Sequence, residues 1–195
     1  MTAAPSDPHR RYTVEEYARL EELSDVRHEY HDGEILAMSG GSYTHALIAT
    51  NLNGELRHKL KGNPCRNLDA NMRIATPHRM YYADGSIICG DPIFDPRDPT
   101  GQSLSNPRGI VEVHSPSTEA YDRNKKLFHY AAIPSFEEMI FVHQDEPHVE
   151  SHVRQADGSW SVVHAIGIES VAAIRCVKIE IPLAEIYANV VFPAP

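Results

Sequence analysis

Apolar and polar positions along the chain follow two periods, and the changes between them outline the elements. Ile48, Leu52, Leu56 and Leu60 recur at four-residue spacing, which predicts a helix from about Tyr43 to Leu60 with one buried stripe. Lys61-Gly62-Asn63-Pro64 stops it. Thr13 followed by Glu16 is a capping box that opens a shorter helix to about Leu23. His28 to His31 and Glu34 to Met38 read as two strands across the turn Asp32-Gly33. Cys65 to Ala75 alternates in part and reads as a strand with Arg66 and Arg73 outward; Tyr81 to Cys89 is the next. Ile110 to His114 is short, β-branched and bounded by Gly109 and Pro116, the signature of a buried strand, and Glu138 to His143 is another. Between these two runs a helix is expected from about Glu119 to Ala132, ending before Pro134. Val149 to Arg154 and Trp160 to His164 alternate around Asp157-Gly158, Ile174 to Ile181 alternates again, and Pro182 to Tyr187 forms a last helical turn. The Pro-rich stretch from Asp91 to Arg108 reads as a long loop, expected to act as a flap over a substrate or a second copy. The expected fold class is α/β: a mixed sheet flanked by two main helices, with a hairpin-rich C-terminal part. Residues 1–11 read as a loose polar tail and 12–192 as one domain.

Two of the apolar runs carry a carboxylate that does not fit them. Alternation puts Val111 and Val113 on one face of their strand and Ile110, Glu112 and His114 on the other. A carboxylate in such a run must be paired, hydrogen-bonded or metal-bound, because burying it bare is costly. Asp84 heads a second run in the same manner. Two acids from neighbouring strand ends can converge on one hard cation. Mg²⁺ fits, with Mn²⁺ as a substitute, since it takes oxygen ligands and is often held by one or two carboxylates. Each residue also has a plainer reading. Asp84-Gly85 is a turn signal, and Lys126 follows Asp122 at the spacing of a helix-surface ion pair. The order of the set, with an acid on each of two strands and a lysine on the next helix, is what singles it out.

Composition narrows the partners. A chain of 195 residues with 42 % hydrophobic positions is enough for one domain with a real core. No stretch approaches the roughly 20 apolar residues of a membrane span, and the first residues have no apolar core of a signal peptide. Cys65, Cys89 and Cys176 have no pair spacing and read as reduced thiols, which points to the cytoplasm. The net charge of −9 argues against broad non-specific contact with a duplex, because phosphate contacts need lysine and arginine. Basic residues can still be segregated, and Arg66, Arg73, Arg79, Arg123, Lys125 and Lys126 are the candidates for a patch. The twelve histidines are scattered, with no His-x-x-x-His pair on a credible helix, which argues against a structural zinc.

The residues just named resemble a known family. From about Tyr12 to Phe192 the sequence is similar to the Uma-two family of restriction-endonuclease-like proteins, catalogued as a domain of unknown function. The matching stretches are His28-Glu29-Tyr30 with Asp32-Gly33-Glu34, His45, and Tyr82-Ala83-Asp84. They continue through Val111-Glu112-Val113-His114-Ser115-Pro116-Ser117-Thr118, Tyr121-Asp122-Arg123-Asn124-Lys125-Lys126-Leu127 and Val142-His143-Gln144-Asp145. The resemblance implies the restriction endonuclease-like fold of the Pro-Asp…(Asp/Glu)-x-Lys nuclease class, in which two acids and a lysine bind metal and activate water. Carried onto this chain, Asp84 is the first acid and Glu112 the second. The lysine expected two positions after Glu112 is replaced by His114, and a lysine displaced to the next helix matches Lys126. Glu29 matches the early glutamate, His45 the early histidine and Gln144 a glutamine common in the wider class; with His114 these are the supporting residues. Ala83 departs from the proline expected before Asp84, and His143 stands where an aspartate is common. Neither departure removes a ligand.

The function this implies is a Mg²⁺-dependent endonuclease that hydrolyses nucleic-acid phosphodiester bonds, DNA being the expected form. Asp84 and Glu112 would hold the metal and Lys126 would serve the attacking water. A homodimer is expected, because two sites related by symmetry suit the two strands of a duplex. Two rivals stand beside it: a binding or regulatory module on a nuclease-like scaffold, which the acidic balance favours, and a metal hydrolase acting on other phosphodiesters.

Overall fold

The computed structural model describes residues 10–114 and 125–192. The N-terminal tail through residue 9, the Ser115-Pro116-Ser117-Thr118 stretch and the helix expected to begin at Glu119 lie outside the described residues until Lys125. Arg10 and Arg11 are tied down: Arg10 pairs with Glu16 at 2.8 Å, and Arg11 donates to the Asp32 carbonyl at 3.1 Å.

The capping box forms as expected and starts α1 (Val14–Glu22). β1 (His28–His31) and β2 (Glu34–Ala37) pair across Asp32-Gly33, which take φ of 50° and 96°. Both positive values are those of a tight hairpin turn, which Asp-Gly adopts at low cost. α2 (Tyr43–Lys59) buries Ile48, Leu52 and Leu56, the stripe read from the sequence.

The alternating run from Cys65 to Ala75 is not one strand. It divides into β3 (Cys65–Asp69) and β4 (Arg73–Ala75), which belong to different sheets. The run from Tyr81 divides in the same way, into β5 (Arg79–Tyr82) and β6 (Gly85–Cys89), and Asp84 sits at the crossing. β7 (Ser103–Leu104) and β8 (Gly109–His114) follow. The chain therefore passes between two sheets repeatedly over this stretch, which period-two alternation alone cannot reveal.

One sheet has five strands in the order β2-β1-β5-β4-β7. The other has six, in the order β11-β10-β9-β8-β6-β3, with β9 (Glu138–His143), β10 (His148–Arg154) and β11 (Trp160–Ile166). β8 and β9 are parallel, and the connection between them carries α3 (Leu127–Ala131), as a parallel crossover requires. β12 (Val171–Ile174) and β13 (Ile179–Pro182) form a separate hairpin that leads into α4 (Leu183–Ile186).

Burial follows the faces of the six-stranded sheet. Val111 and Val113 pack with α2, the C-terminal hairpin and α4 in one core. Ile110, Met139 and Phe141 face the opposite way and pack with Ile74, Tyr81 and Leu104 of the other sheet and with Tyr130. The five-stranded sheet turns its outer side to α1 through Tyr17, Tyr30 and Met80. Among the described residues no helix is long and apolar enough to cross a membrane.

Two other expectations change. Arg73 does not point outward: it is buried, donating to Asp98 at 2.9 Å and to Ser103 at 3.0 Å. Those contacts pin the 91–108 stretch, which also contributes β7, so it is a packed connection and not a free flap. Cys65 and Cys89 stand directly opposite each other on β3 and β6 and are joined by a disulfide, and the free Cys176 is buried. Sequence spacing could not show this pairing, because the register of two strands brings the cysteines together.

Candidate active site

Asp84 lies where the chain leaves one sheet for the other. Its Oδ2 accepts a hydrogen bond from the Val113 backbone at 2.7 Å, so the side chain extends the ladder where β6 stops pairing with β8. The turn is held from the other side by Asn53 on α2, whose Nδ2 donates to the Asp84 carbonyl and to the Ala49 carbonyl, both at 2.9 Å. Residue 85 must be small there, because a Cβ on Gly85 would come within 2.7 Å of Asn53 Oδ1. His45, on the first turn of α2, brings Nε2 to 3.1 Å from Asp84 Oδ2. That hydrogen bond raises the His45 pKa above its ordinary value, against the opposing effect of burial.

Glu112 is 4 % exposed, mid-strand on β8. A buried carboxylate there needs partners. Lys126 Nζ donates to Glu112 Oε2 at 3.1 Å and the Tyr130 hydroxyl to Oε1 at 3.4 Å. Lys126 itself is nearly buried, with Nζ 5.6 Å from the centre of the Tyr81 ring. Buried and donating to Glu112, it is not the solvated lysine of a helix surface.

Asp84, Glu112, Lys126, His45 and Gln144 all line one cleft of about 690 Å³. Gln144 follows the end of β9, where its backbone N–H donates to the His114 carbonyl at 3.1 Å and its Oε1 accepts from Ser42 Oγ at 3.1 Å. The same Ser42 oxygen caps α2 by accepting from the His45 backbone. The stretch from Met38 to Ser42 therefore forms a wall of the cleft and ties His45 to Gln144.

Two supporting residues are elsewhere. Glu29 lies on β1 in the five-stranded sheet, with Oε2 3.0 Å from His31 Nε2. His114 is buried with its ring 4.4 Å from that of Phe141. Neither lines the cleft. Three residues that sequence reading passed over do take part: Arg27 and Ser42 line it, and Asn53 holds Asp84. Nothing in the local sequence marks them, since each depends on a contact between elements distant in the chain.

Three of the candidates for a basic patch are tied to acids, and Arg66 donates to the Gly90 carbonyl. Arg73 is paired with Asp98, Arg79 with Asp32 at 3.0 Å, and Lys126 with Glu112. Arg123 lies outside the described residues. Among the described residues, the cations that line the cleft are Arg27 and Lys126.

The donor set of the cleft fits a hard divalent cation. Two carboxylates are presented, one from just before β6 and one from within β8, the first held by a backbone N–H and the second by a lysine and a tyrosine. Tyr82 also lines the cleft, and burial pushes its phenol up to about 12, so it stays protonated and donates to Glu21 at 3.1 Å.

Comparisons with known proteins bear on the family and the fold. Residues 14–177 match the Uma2 family, described as "Putative restriction endonuclease". The chain is 35 % identical over 164 residues to the "Uncharacterized protein slr1290" of Synechocystis sp. (strain ATCC 27184 / PCC 6803 / Kazusa), spanning 83 % of this chain and 84 % of that one. It is 29 % identical over 157 residues to the "Uncharacterized protein sll1609" of the same organism, spanning 80 % and 88 %. Its fold is that of a crystal structure from Anabaena variabilis ATCC 29413, described as "a putative nuclease belonging to DUF820". The TM-score is 0.72, with 15 % identity, over 92 % of this chain and 99 % of that one. At that identity the likeness is one of fold. The family match runs from α1 through the six-stranded sheet and takes in both acids and the lysine. This chain belongs to the Uma2 family.

Proposed function

We propose that the protein is a metal-dependent endonuclease that hydrolyses phosphodiester bonds of nucleic acid in the cleft at Asp84, Glu112 and Lys126. The observation that carries this reading is the meeting of two carboxylates and a nearly buried lysine, from three separate elements, on one cleft of this fold. Asp84 and Glu112 would hold Mg²⁺ or Mn²⁺. When bound, the ion polarises the scissile phosphate and lowers the pKa of its water.

The chain's own groups do the rest. The Val113 N–H and His45 Nε2 fix Asp84 Oδ2, and Tyr130 and Lys126 fix the two oxygens of Glu112. Both carboxylates are thus oriented before any ligand arrives, which lowers the cost of organising them during reaction. Lys126 Nζ is a fixed positive charge beside Glu112, suited to steady the charge that develops on the phosphate or to orient the attacking water. Arg27 at the cleft wall can meet a flanking phosphate, and Gln144, anchored through Ser42, can position the nucleotide. Glu29 and His114 carry no direct role. DNA as the substrate and a two-fold assembly that addresses both strands belong to the same proposal.

The shortage of arginine facing the cleft favours one alternative, a binding module that keeps the acids only for folding. A Mn²⁺ titration by calorimetry separates the two. The nuclease reading predicts metal binding that is lost in Asp84→Asn and Glu112→Gln while both variants keep a native circular dichroism spectrum. A folded wild type that takes up no metal at these acids would overturn it in favour of the module.

A further inference from the structure

The face of the six-stranded sheet that carries Glu112 also gathers histidines. Along β10, His148, Glu150 and His152 alternate and so share that face. Glu150 stands opposite Phe141 on β9 and opposite His164 on β11. His143 is two residues beyond Phe141 and returns to the same side. The twelve histidines look scattered in the sequence because those that meet here come from three strands and not from one helix.

The geometry is that of a ligand set. One ligand atom each from His143, His148 and Glu150 lie within 4.8 Å of one another. His164 Nδ1 is 3.0 Å from His148 Nε2 and 3.7 Å from Glu150 Oε2. With metal–nitrogen bonds of about 2.0–2.1 Å, donor atoms of a tetrahedral zinc site lie about 3.3 Å apart, between those two spacings. The outer contacts match as well. Glu146 Oε1 is 3.2 Å from His148 Nδ1, which leaves Nε2 of that ring as the metal-facing nitrogen. His152 Nε2 holds the other oxygen of Glu150, fixing the carboxylate.

We propose that His143, His148, His164 and Glu150 form a second metal site, specific for a borderline transition ion such as Zn²⁺ and separate from the acids of the cleft. Three imidazoles and one carboxylate suit Zn²⁺ and do not suit Mg²⁺, which the all-oxygen pair Asp84 and Glu112 fits. The two sites lie on one sheet: Glu112 pairs with Phe141, and Phe141 with Glu150, so two strand spacings, about 10 Å, separate them. The Glu150 side chain is 4 % exposed and that of His164 is 45 % exposed, so an ion enters from solvent on the β11 side. Binding turns His148 out of its parallel stack with His143 and places the His164 proton on Nε2 of that ring, so that Nδ1 is open to the ion. The bound ion would clamp β9, β10 and β11 together and brace Gln144, which follows His143.

The test begins with protein stripped by a chelator. Zn²⁺ is titrated by calorimetry, with Co²⁺ as a visible-absorption probe of tetrahedral nitrogen ligation, in wild type, His148→Ala, His164→Ala and the double variant Asp84→Asn, Glu112→Gln. The proposal expects one tight Zn²⁺ equivalent in wild type and in the double acid variant, with a tetrahedral Co²⁺ spectrum and a thermal midpoint raised by several degrees. His148→Ala should lose all three, and His164→Ala, at an exposed position that leaves folding intact, should weaken binding about tenfold or more. Zn²⁺ uptake that survives both histidine changes, that vanishes with the acids, or that is missing from wild type would overturn the proposal. None of these readouts depends on cleavage, so they stand apart from the fate of the nuclease reading.

Discussion

The Asp84 turn is held by Asn53, a residue with no chemistry of its own, and this makes small side chains decisive. Adding a methyl at Gly85 would push on Asn53 Oδ1 at 2.7 Å, and Asn53 is what holds the Asp84 carbonyl. Gly85→Ala should cost about 1–3 kcal/mol in urea denaturation, and Asn53→Ala introduced with it should recover part of that loss. Equal losses in the single and double variants would rule out this contact as the cause. Glu138 makes a different prediction. It is fully buried, with Oε2 accepting from the Cys176 backbone at 2.8 Å, and burial raises its pKa. The folded state therefore holds its proton after the unfolded chain has released it. That contribution to stability is complete below the ordinary glutamate range and is lost as pH rises through the folded value. Glu138→Gln should thus raise the urea midpoint at neutral pH, with the gain fading toward about pH 4. A gain that grows on acidification would reverse the assignment. Glu112 stands out in the sequence, because a carboxylate inside a β-branched run conflicts with its surroundings; Asp84 and Lys126 are singled out by their order with it and by the family resemblance. Arg27, Ser42 and Asn53 do not stand out, because nothing local conflicts at those positions.

Elements with their own signals match the expectation closely. The capping box, the Asp32-Gly33 hairpin, the leucine stripe of α2 and the Glu138 strand each carry a complete local pattern. The mismatches share one cause. Cys65 to Ala75, which alternates in part, and Tyr81 to Cys89 each read as one strand, yet the chain changes sheet inside each, and a local pattern has no way to record which partner a strand takes. The 91–108 stretch departs for a related reason: its anchor, Arg73 with Asp98, joins residues 25 apart. The side chains of that pair are 3 % and 0 % exposed, so removing one partner strands a buried charge. Arg73→Ala should cost about 3–5 kcal/mol, and Arg73→Met with Asp98→Asn should cost clearly less than Arg73→Ala alone, read from chemical denaturation. A loss under about 1 kcal/mol would show that the pair is solvated like a surface bridge.

The two sheets packed face to face account for why one edge of the fold becomes a site. Every crossing between them leaves the regular ladder, and at the crossing after β5 a side-chain carboxylate takes the place of a backbone partner. The cysteines report on the same arrangement, since their bond links β3 to β6 within the six-stranded sheet. Thiol titration of unreduced, denatured protein should find a single reactive group, Cys176, and reduction should lower stability by roughly 3 kcal/mol for a loop of this length. Three free thiols before reduction would contradict that pairing. The net charge of −9 is a fair warning: Arg73, Arg79 and Lys126 are all paired with acids, and the cleft depends on its acids and one buried lysine. The most direct test is cleavage of supercoiled plasmid DNA with Mg²⁺ or Mn²⁺, wild type beside Lys126→Ala. Metal-dependent nicking by wild type that falls by at least about a hundredfold in a folded Lys126→Ala variant is the predicted result. Equal nicking by both proteins, or none by a wild type shown to bind the metal, would contradict the account.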